Sequence, residues 1–361
     1  MNEILLAAKN KAANHTRINF DEALALYKDN DLLFLAQTAR SIKESKSGKN
    51  IFYIINRHIN LTNICSSNCP LCAFQCKADD KRGYILELED IDKILAEIKT
   101  VKNLSEIHIV SALHPDKNFD YYLEIIERIK KILPSVSINA FTPVEIANFS
   151  SRSNKTFAEI LTILKSAGVD TLPGGGAEIF SDRVRKIICP KKISAETWLE
   201  IMQTAHEIGI KSNASMMFGH IETIEERIEH LIKLRELQDK THGFQAMLLF
   251  PFYPKNTELG EKFNLQPVGA WENLKMLALS RIILDNFNHF KAFWVMLTLP
   301  VAQLALAFGA DDLDGTIGEE KIIRAAGAES NSITSEMLEE IIREAGYNPI
   351  MRDSFYNYEI K

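Results

Sequence analysis

The sequence predicts an α/β fold: a TIM-type (β/α)8 barrel over residues 51–316, an N-terminal helical cap over 1–50 and a short helical C-terminal extension over 317–361. Three observations predict it. Short β-rich apolar runs alternate with segments of helical period along most of the chain, the pattern of a parallel sheet. Eight such units argue for a closed barrel over an open sheet. Polar residues gather where the strands end, which is where a barrel exposes its active site.

Taken in order, residues 1–50 read as helical with polar flanks. Asn19 with Glu22 three residues on forms a capping box opening a helix over Phe20–Lys28. Lys43–Asn50 reads as a lysine- and serine-rich linker. Ile51–Asn60 is the first buried strand, with Asn56, His58 and Asn60 on one face and Arg57 and Ile59 on the other. A cysteine-rich loop follows. Then come the helix Leu88–Val101, the strand Glu106–Ala112, the helix Tyr121–Leu133 and the strand Val136–Phe141. The helix Thr156–Ala167 leads to the strand Val169–Leu172 and a glycine turn, and the helix Ala195–Ile208 to the strand Lys211–Phe218. The helix Ile224–Asp239 precedes the strand Phe244–Phe250, and the helix Trp271–Asp285 the strand His289–Val295. A last strand, Asp311–Gly315, follows a helix ending at Phe308. In the tail, Ser335–Glu344 is helical, with Gly346 and Pro349 as stop signals.

Ala292–Ala310 is almost wholly apolar and long enough for a membrane span. Pro300 divides it into a strand-like half (Ala292–Leu297) and a helix-like half (Val301–Phe308) that Gly309 ends. A buried strand followed by its helix is therefore expected, without membrane insertion.

Composition narrows the function. The chain has 361 residues, 46% hydrophobic and 25% charged, ample for a large core. A net charge of −6 and a pI near 5.9 imply no wide basic face, which excludes nucleic-acid binding. An anionic substrate would need local cations placed against the overall field. Five cysteines, three of them clustered, are not a disulfide framework and point to a reducing, cytoplasmic setting. Met1–Leu6 lacks a basic leader, so no signal peptide is expected.

The chemistry centres on Cys65-Ser66-Ser67-Asn68-Cys69-Pro70-Leu71-Cys72, spaced C-x3-C-x2-C. Three thiolates on one tight loop can hold three irons of a [4Fe–4S] cubane and leave the fourth iron open to a ligand. Spacing alone leaves other readings: a zinc site or a closed cluster completed by Cys76, or ordinary buried thiols. Pro173-Gly174-Gly175-Gly176-Ala177-Glu178 follows the fourth strand, where glycines let backbone approach a ligand and Glu178 can accept hydrogen bonds from it. On the fifth strand Asn213, Ser215 and Met217 share a face, and Gly219-x-x-Glu222 marks its exit. Phe74 is placed to pack on an adenine ring. His114 follows the second strand and is the better active-site histidine there, while His108 reads as a satisfied structural residue. Cys189 reads as a buried structural thiol.

The cysteine spacing is that of the radical S-adenosylmethionine (SAM) enzymes. More specifically, the chain resembles the aminofutalosine (aminodeoxyfutalosine) synthase family of the futalosine route to menaquinone. The resemblance is carried by Asn56–Asn60 with Thr62–Cys65, His108–Val110 with Leu113–Pro115, Leu172–Phe180, Asp285–Phe287 and Phe308–Thr316. The sister dehypoxanthine futalosine cyclase family shares the cluster and the glycine run; Arg57-His58, Leu113-His114-Pro115 and Leu313-Asp314-Gly315 favour the synthases. Two positions depart from the family pattern: Ser111-Ala112 stand where glycines are usual, and Leu71 where an aromatic often precedes the third cysteine.

The resemblance implies a [4Fe–4S] cluster on Cys65, Cys69 and Cys72, with SAM on the open iron. Phe74, Gly175, Gly176, Glu178, Asn213, Ser215, Gly219 and Glu222 are the expected SAM contacts. It further implies that the 5′-deoxyadenosyl radical adds to 3-[(1-carboxyvinyl)oxy]benzoate, giving 6-amino-6-deoxyfutalosine, methionine and CO2 or bicarbonate. A flavodoxin or ferredoxin would be the reductant. That substrate carries two carboxylates, so donors are required; His58, with Asn56 on the same strand face, His114 and Arg281 are the candidates.

Overall fold

The computed structural model describes residues 3–318, 320–327 and 332–358. Three helices open the chain: α1 (Glu3–Ala13), α2 (Phe20–Asp29) and α3 (Leu32–Ser47). The Asn19 side chain accepts from the Glu22 amide and Glu22 accepts from the Asn19 amide, so the expected box caps α2. The expected linker is instead the last turn of α3. Lys43 is fully buried, its ammonium 3.7 Å from the Tyr347 ring centre, and a lysine stem can serve helix packing while its head finds an aromatic face.

The barrel then runs β1 (Asn50–Ile54), β2 (Asn56–Ile59), α4 (Leu88–Ile98), β3 (Glu106–Ile109), α5 (Phe119–Ile132), β4 (Ser137–Ala140), α6 (Pro143–Ser153), α7 (Phe157–Ala167) and β5 (Thr171–Leu172). It continues through α8 (Asp182–Ile188), α9 (Ala195–Glu207), β6 (Lys211–Phe218), α10 (Ile224–Thr241), β7 (Phe244–Pro251), α11 (Glu258–Phe263), α12 (Ala270–Ile283) and β8 (His289–Lys291). Last come α13 (Trp294–Leu297), α14 (Leu299–Ala305), β9 (Asp312–Gly315), α15 (Lys321–Ala325), α16 (Ser335–Glu344) and β10 (Asn348–Met351).

Every strand pairing is parallel, in the order β10-β1-β9-β8-β7-β6-β5-β4-β3-β2. Because β1 and β2 are one stretch of chain broken only at Ile55, the two ends of this sheet meet. On one side the stretch pairs with β9, extended by bonds from the Thr316 amide to the Ile54 carbonyl and from the His58 amide to the Ile317 carbonyl. On the other it pairs with β3, and the Ser105 amide reaches the Ile55 carbonyl. The result is a closed (β/α)8 barrel, with β10 added beside β1.

Local differences have physical causes. The strand expected to reach Val295 stops at Lys291, and Trp294–Leu297 coils into a helix. An apolar run does not by itself separate strand from helix, and here the Trp294 indole bonds the Gly315 carbonyl, fixing the turn. Pro300 lies in the first turn of α14 and Gly309 takes a left-handed φ of +103°, both as expected. Helix α6 was not anticipated; its signal is Thr142-Pro143-x-Glu145, a capping box with proline at the first turn. Pro349, read as a stop signal, sits in β10, a position at the sheet's edge that tolerates its missing donor. Among the described residues no helix is long and apolar enough to cross a membrane.

Candidate active site

The cysteine loop is pinned from several sides. The Cys65 amide donates to the Cys76 carbonyl and the Cys76 amide to the Asn63 carbonyl, which closes the loop at its base. The Cys72 amide turns back on the Cys69 carbonyl, Asn68 adopts a left-handed φ of +48°, and the Ser66 amide is held by the Leu113 carbonyl after β3. So fixed, Cys65, Cys69 and Cys72 all line one cavity of about 270 Å³ at the mouth of the barrel, whereas Cys76 and Cys189 do not. Among the described residues no three His, Cys, Asp or Glu side chains converge on a single ion position. A lone zinc would need that convergence; a cubane, taking one thiolate per iron, does not. The donor set therefore fits a cluster with an open iron. Burial pushes the Cys69 thiol up to about 12, and that of Cys72 upward, with Lys192 opposing. Metal ligation reverses such shifts by taking the thiolate.

Beside the cysteines lies the glycine run. A Cβ on Gly174 would stand 2.7 Å from the Ala214 backbone, and Gly176 has φ +80°, so both positions need glycine. The Trp198 indole donates to the Gly175 carbonyl at 3.1 Å, and Ser215 on β6 donates to the Gly174 carbonyl. Glu178, itself left-handed at φ +48°, accepts the Lys192 ammonium at 2.6 Å. Burial works against the Glu178 carboxylate, but Lys192 outweighs it and holds the group below its ordinary range. Phe74, Gly175, Gly176 and Glu178 line the cavity, and so do Asn213, Ser215 and Met217 from alternate positions of β6, as its alternation implies.

The opposite end of the cavity is a polar floor on the strands. His58, His108 and Asn139 are registered neighbours across β2, β3 and β4, so they project together into the barrel. The two imidazoles stack at 4.5 Å and 23°. Burial holds both below the ordinary histidine range, hence neutral. Asn139 is 2% exposed and its Oδ1 has no partner. Lys291 on β8 faces Asp314 on β9 at 3.3 Å, and Asp314 has a left-handed φ of +63°. Leu248, Phe250, Phe293 and Met296 supply apolar wall.

Several expected site residues lie elsewhere. Asn56 shares a strand face with His58, but its Oδ1 accepts the Ile317 amide, tying the first strand to the last. His114 lies outside the cavity lining, its Nδ1 accepting the Asp116 amide. Arg281 is fully buried on α12, donating to the Asn288 carbonyl ahead of β8, at the strand end away from the site. Gly219 and Glu222 are also outside the lining. Glu222 accepts from the Gly219 and His220 amides and from Arg227, so it braces the turn after β6. Burial opposes its charge, yet His220 and Arg227 draw its carboxyl down to about 2. Conversely, His108, read as structural, lines the cavity. Lys192, Lys291, Asp314 and Asn139 were not singled out as site residues; they come from separate segments of the chain, and only folding brings them together.

Barrel, cysteine loop and glycine run define the class: a radical SAM enzyme, with a [4Fe–4S] cluster and SAM as its cofactors. The radical SAM superfamily pattern matches residues 59–234, and that of the CofH/MqnC C-terminal region matches 241–361. The chain is 39% identical to an aminodeoxyfutalosine synthase of Thermus thermophilus, over 98% of this chain and 95% of that one. It is 38% identical to an aminodeoxyfutalosine synthase of Streptomyces coelicolor, over 96% and 92%. It is also 41% identical to a 5-amino-6-(D-ribitylamino)uracil–L-tyrosine 4-hydroxyphenyl transferase of Methanosarcina barkeri, over 89% and 86%. Methylornithine synthase shares the fold at TM-score 0.75 and 15% identity, covering 95% of this chain and 97% of that one. The [FeFe]-hydrogenase maturase HydG of Carboxydothermus hydrogenoformans does so at 0.74 and 18%, covering 98% and 81%. The chain belongs to the aminodeoxyfutalosine synthase family of radical SAM enzymes, which are transferases.

Proposed function

We propose that the enzyme joins the 5′-deoxyadenosyl group of SAM to 3-[(1-carboxyvinyl)oxy]benzoate, giving 6-amino-6-deoxyfutalosine with methionine and CO2 or bicarbonate, in menaquinone biosynthesis. The observation that carries this reading is one cavity with the three motif cysteines at one end and a polar floor at the other, in a chain 39% identical to a synthase over nearly its whole length. Cys65, Cys69 and Cys72 would hold the cluster. Phe74, Gly175, Gly176, Glu178, Asn213 and Ser215 would hold SAM, with the glycine backbone approaching it closely. When bound, the two groups supply one-electron chemistry at the adenosyl carbon. The chain's own task is to orient the alkene and exclude water: Leu248, Phe250, Phe293 and Met296 give an apolar wall, and His58 presents a neutral donor to the substrate. A flavodoxin or ferredoxin is the proposed reductant.

The test is anaerobic reconstitution with SAM, dithionite and the enolpyruvyl benzoate, with products read by mass. An adduct of adenosyl and benzoate supports the synthase. 5′-Deoxyadenosine without adduct points to a hydrogen-abstracting relative such as dehypoxanthine futalosine cyclase. A second reading, 4-hydroxyphenyl transfer from L-tyrosine to 5-amino-6-(D-ribitylamino)uracil, is favoured by the 41% identity to the Methanosarcina transferase. It predicts product from that substrate pair and none from the benzoate.

A further inference from the structure

We propose that Lys291 is the cation that seats a carboxylate of the substrate on the cavity floor, and that Asp314 holds its ammonium in place until the ligand arrives. The inference deepens the functional reading above and rests on it.

Among the described residues, Lys192 and Lys291 are the lysines that line the cavity, and no arginine does. Lys192 is engaged: it meets Glu178 at 2.6 Å and lies at the cluster end, where Cys69 and Cys72 bear on it electrostatically. Lys291 is held differently. Its one carboxylate partner is at 3.3 Å, beyond the 2.7–2.9 Å usual for a charge-assisted N–H···O bond. An ammonium carries three donors, and among the described residues no other protein acceptor is bonded to it. Both members of the pair are buried, with 6% and 9% of their side chains exposed, so water does little to satisfy them.

The surroundings fit the same ligand. The ring nitrogens of His58 and His108 have no protein partner among the described residues, and the Asn139 Oδ1 is buried without one. A buried, unpartnered amide oxygen beside two half-buried imidazoles that face the cavity is a floor expected to be completed by something that enters. The wall beside it is apolar and aromatic, with Phe250 and Phe293. A flat aromatic acid satisfies both: ring against the wall, carboxylate on Lys291, and the imidazoles of the same cavity floor nearby. Asp314 belongs to the device. Its left-handed backbone is costly for a residue with a Cβ, and such strain persists where the surroundings hold a group for a purpose. It gives the buried amine a counter-charge before the ligand supplies the second anion.

The experiment uses the enzyme reconstituted with cluster and SAM, without reductant, so that binding is read without turnover. Calorimetry gives Kd for 3-[(1-carboxyvinyl)oxy]benzoate and for its neutral diester. Lys291→Met is expected to weaken the dicarboxylate by about tenfold or more while leaving SAM and the diester unchanged. Lys291→Arg is expected to recover most of the loss, and retained SAM affinity shows that both variants fold. A Lys291→Met enzyme that binds the dicarboxylate as tightly as the parent, or that loses acid and diester equally, overturns the proposal. The same comparison is run with L-tyrosine against L-tyrosinamide. If the parent binds tyrosine but not the benzoate, the functional reading falls, while a loss confined to tyrosine still supports Lys291. A parent that binds neither acid overturns both.

Discussion

The cavity holds two buried lysine–carboxylate pairs, and they are built differently. Lys192 and Glu178 meet at 2.6 Å on the loops beside the cysteines, and the Glu178 backbone is locked by the Met217 amide. Lys291 and Asp314 meet at 3.3 Å on adjacent strands, next to an imidazole stack with free ring nitrogens. The short pair is a tight internal contact, suited to fixed scaffolding beside the cysteines. A long pair with unused donors is a receptor. On the proposal above, the cofactor end is closed by a tight internal pair, while the substrate end keeps a looser pair for the substrate to complete.

The largest test of this contrast removes the cluster end. Cys65→Ala, Cys69→Ala or Cys72→Ala should abolish bound iron and sulfide and reduce product to background, whereas Cys76→Ala should keep the cluster signal; loss of the cluster in Cys76→Ala would mean that no iron is open. Next, Glu178→Gln should strand a buried lysine and cost about 3–5 kcal/mol in denaturant unfolding. Asp314→Asn should cost less, because its pair is looser. Equal losses would break the comparison.

Glu145 lies on the cavity wall between the two ends and sharpens it by pH. Burial pushes its carboxyl from an ordinary 4.5 up to about 7, against hydrogen bonds from Thr142 and Ser111. A carboxyl raised in the folded state contributes stability below its unfolded pKa and loses it as pH rises through the folded one. Unfolding free energy should therefore fall between pH 5 and pH 8, and Glu145→Gln should flatten that slope by about 1–3 kcal/mol. An unchanged slope would show Glu145 ionised in the fold. His58→Ala should lower kcat/KM for adduct formation about tenfold while iron content and SAM affinity stay unchanged; full turnover would remove His58 from the substrate site. The smallest effect belongs to Arg281→Met, away from both ends, which should leave substrate KM within about twofold.

Much of the barrel was legible because its signals are local. Lys211–Phe218 and Ser335–Glu344 match their expected limits, since clean alternation and strong helical period with caps resist tertiary override. Where the local signal is ambiguous, packing decided. The apolar stretch Ala292–Leu297 suits either strand or helix until Trp294 finds the Gly315 carbonyl, and Lys43 reads as surface until Tyr347 covers it.

The cluster loop could be read from the chain alone because its geometry is set by spacing. Three cysteines within eight residues have few ways to be arranged. The order of the barrel followed for the same reason, from periodicity that each segment carries by itself. Strand parity, by contrast, says which residues share a face, not which of them reach the cavity. Asn56 and His58 share one, yet Asn56 is consumed by the Ile317 amide and His58 meets His108. Lys291 and Asp314 face each other only because β8 and β9 are neighbours in a closed ring. The substrate end was decided by tertiary structure, since its groups come from strands far apart in the chain and only barrel closure sets their distances.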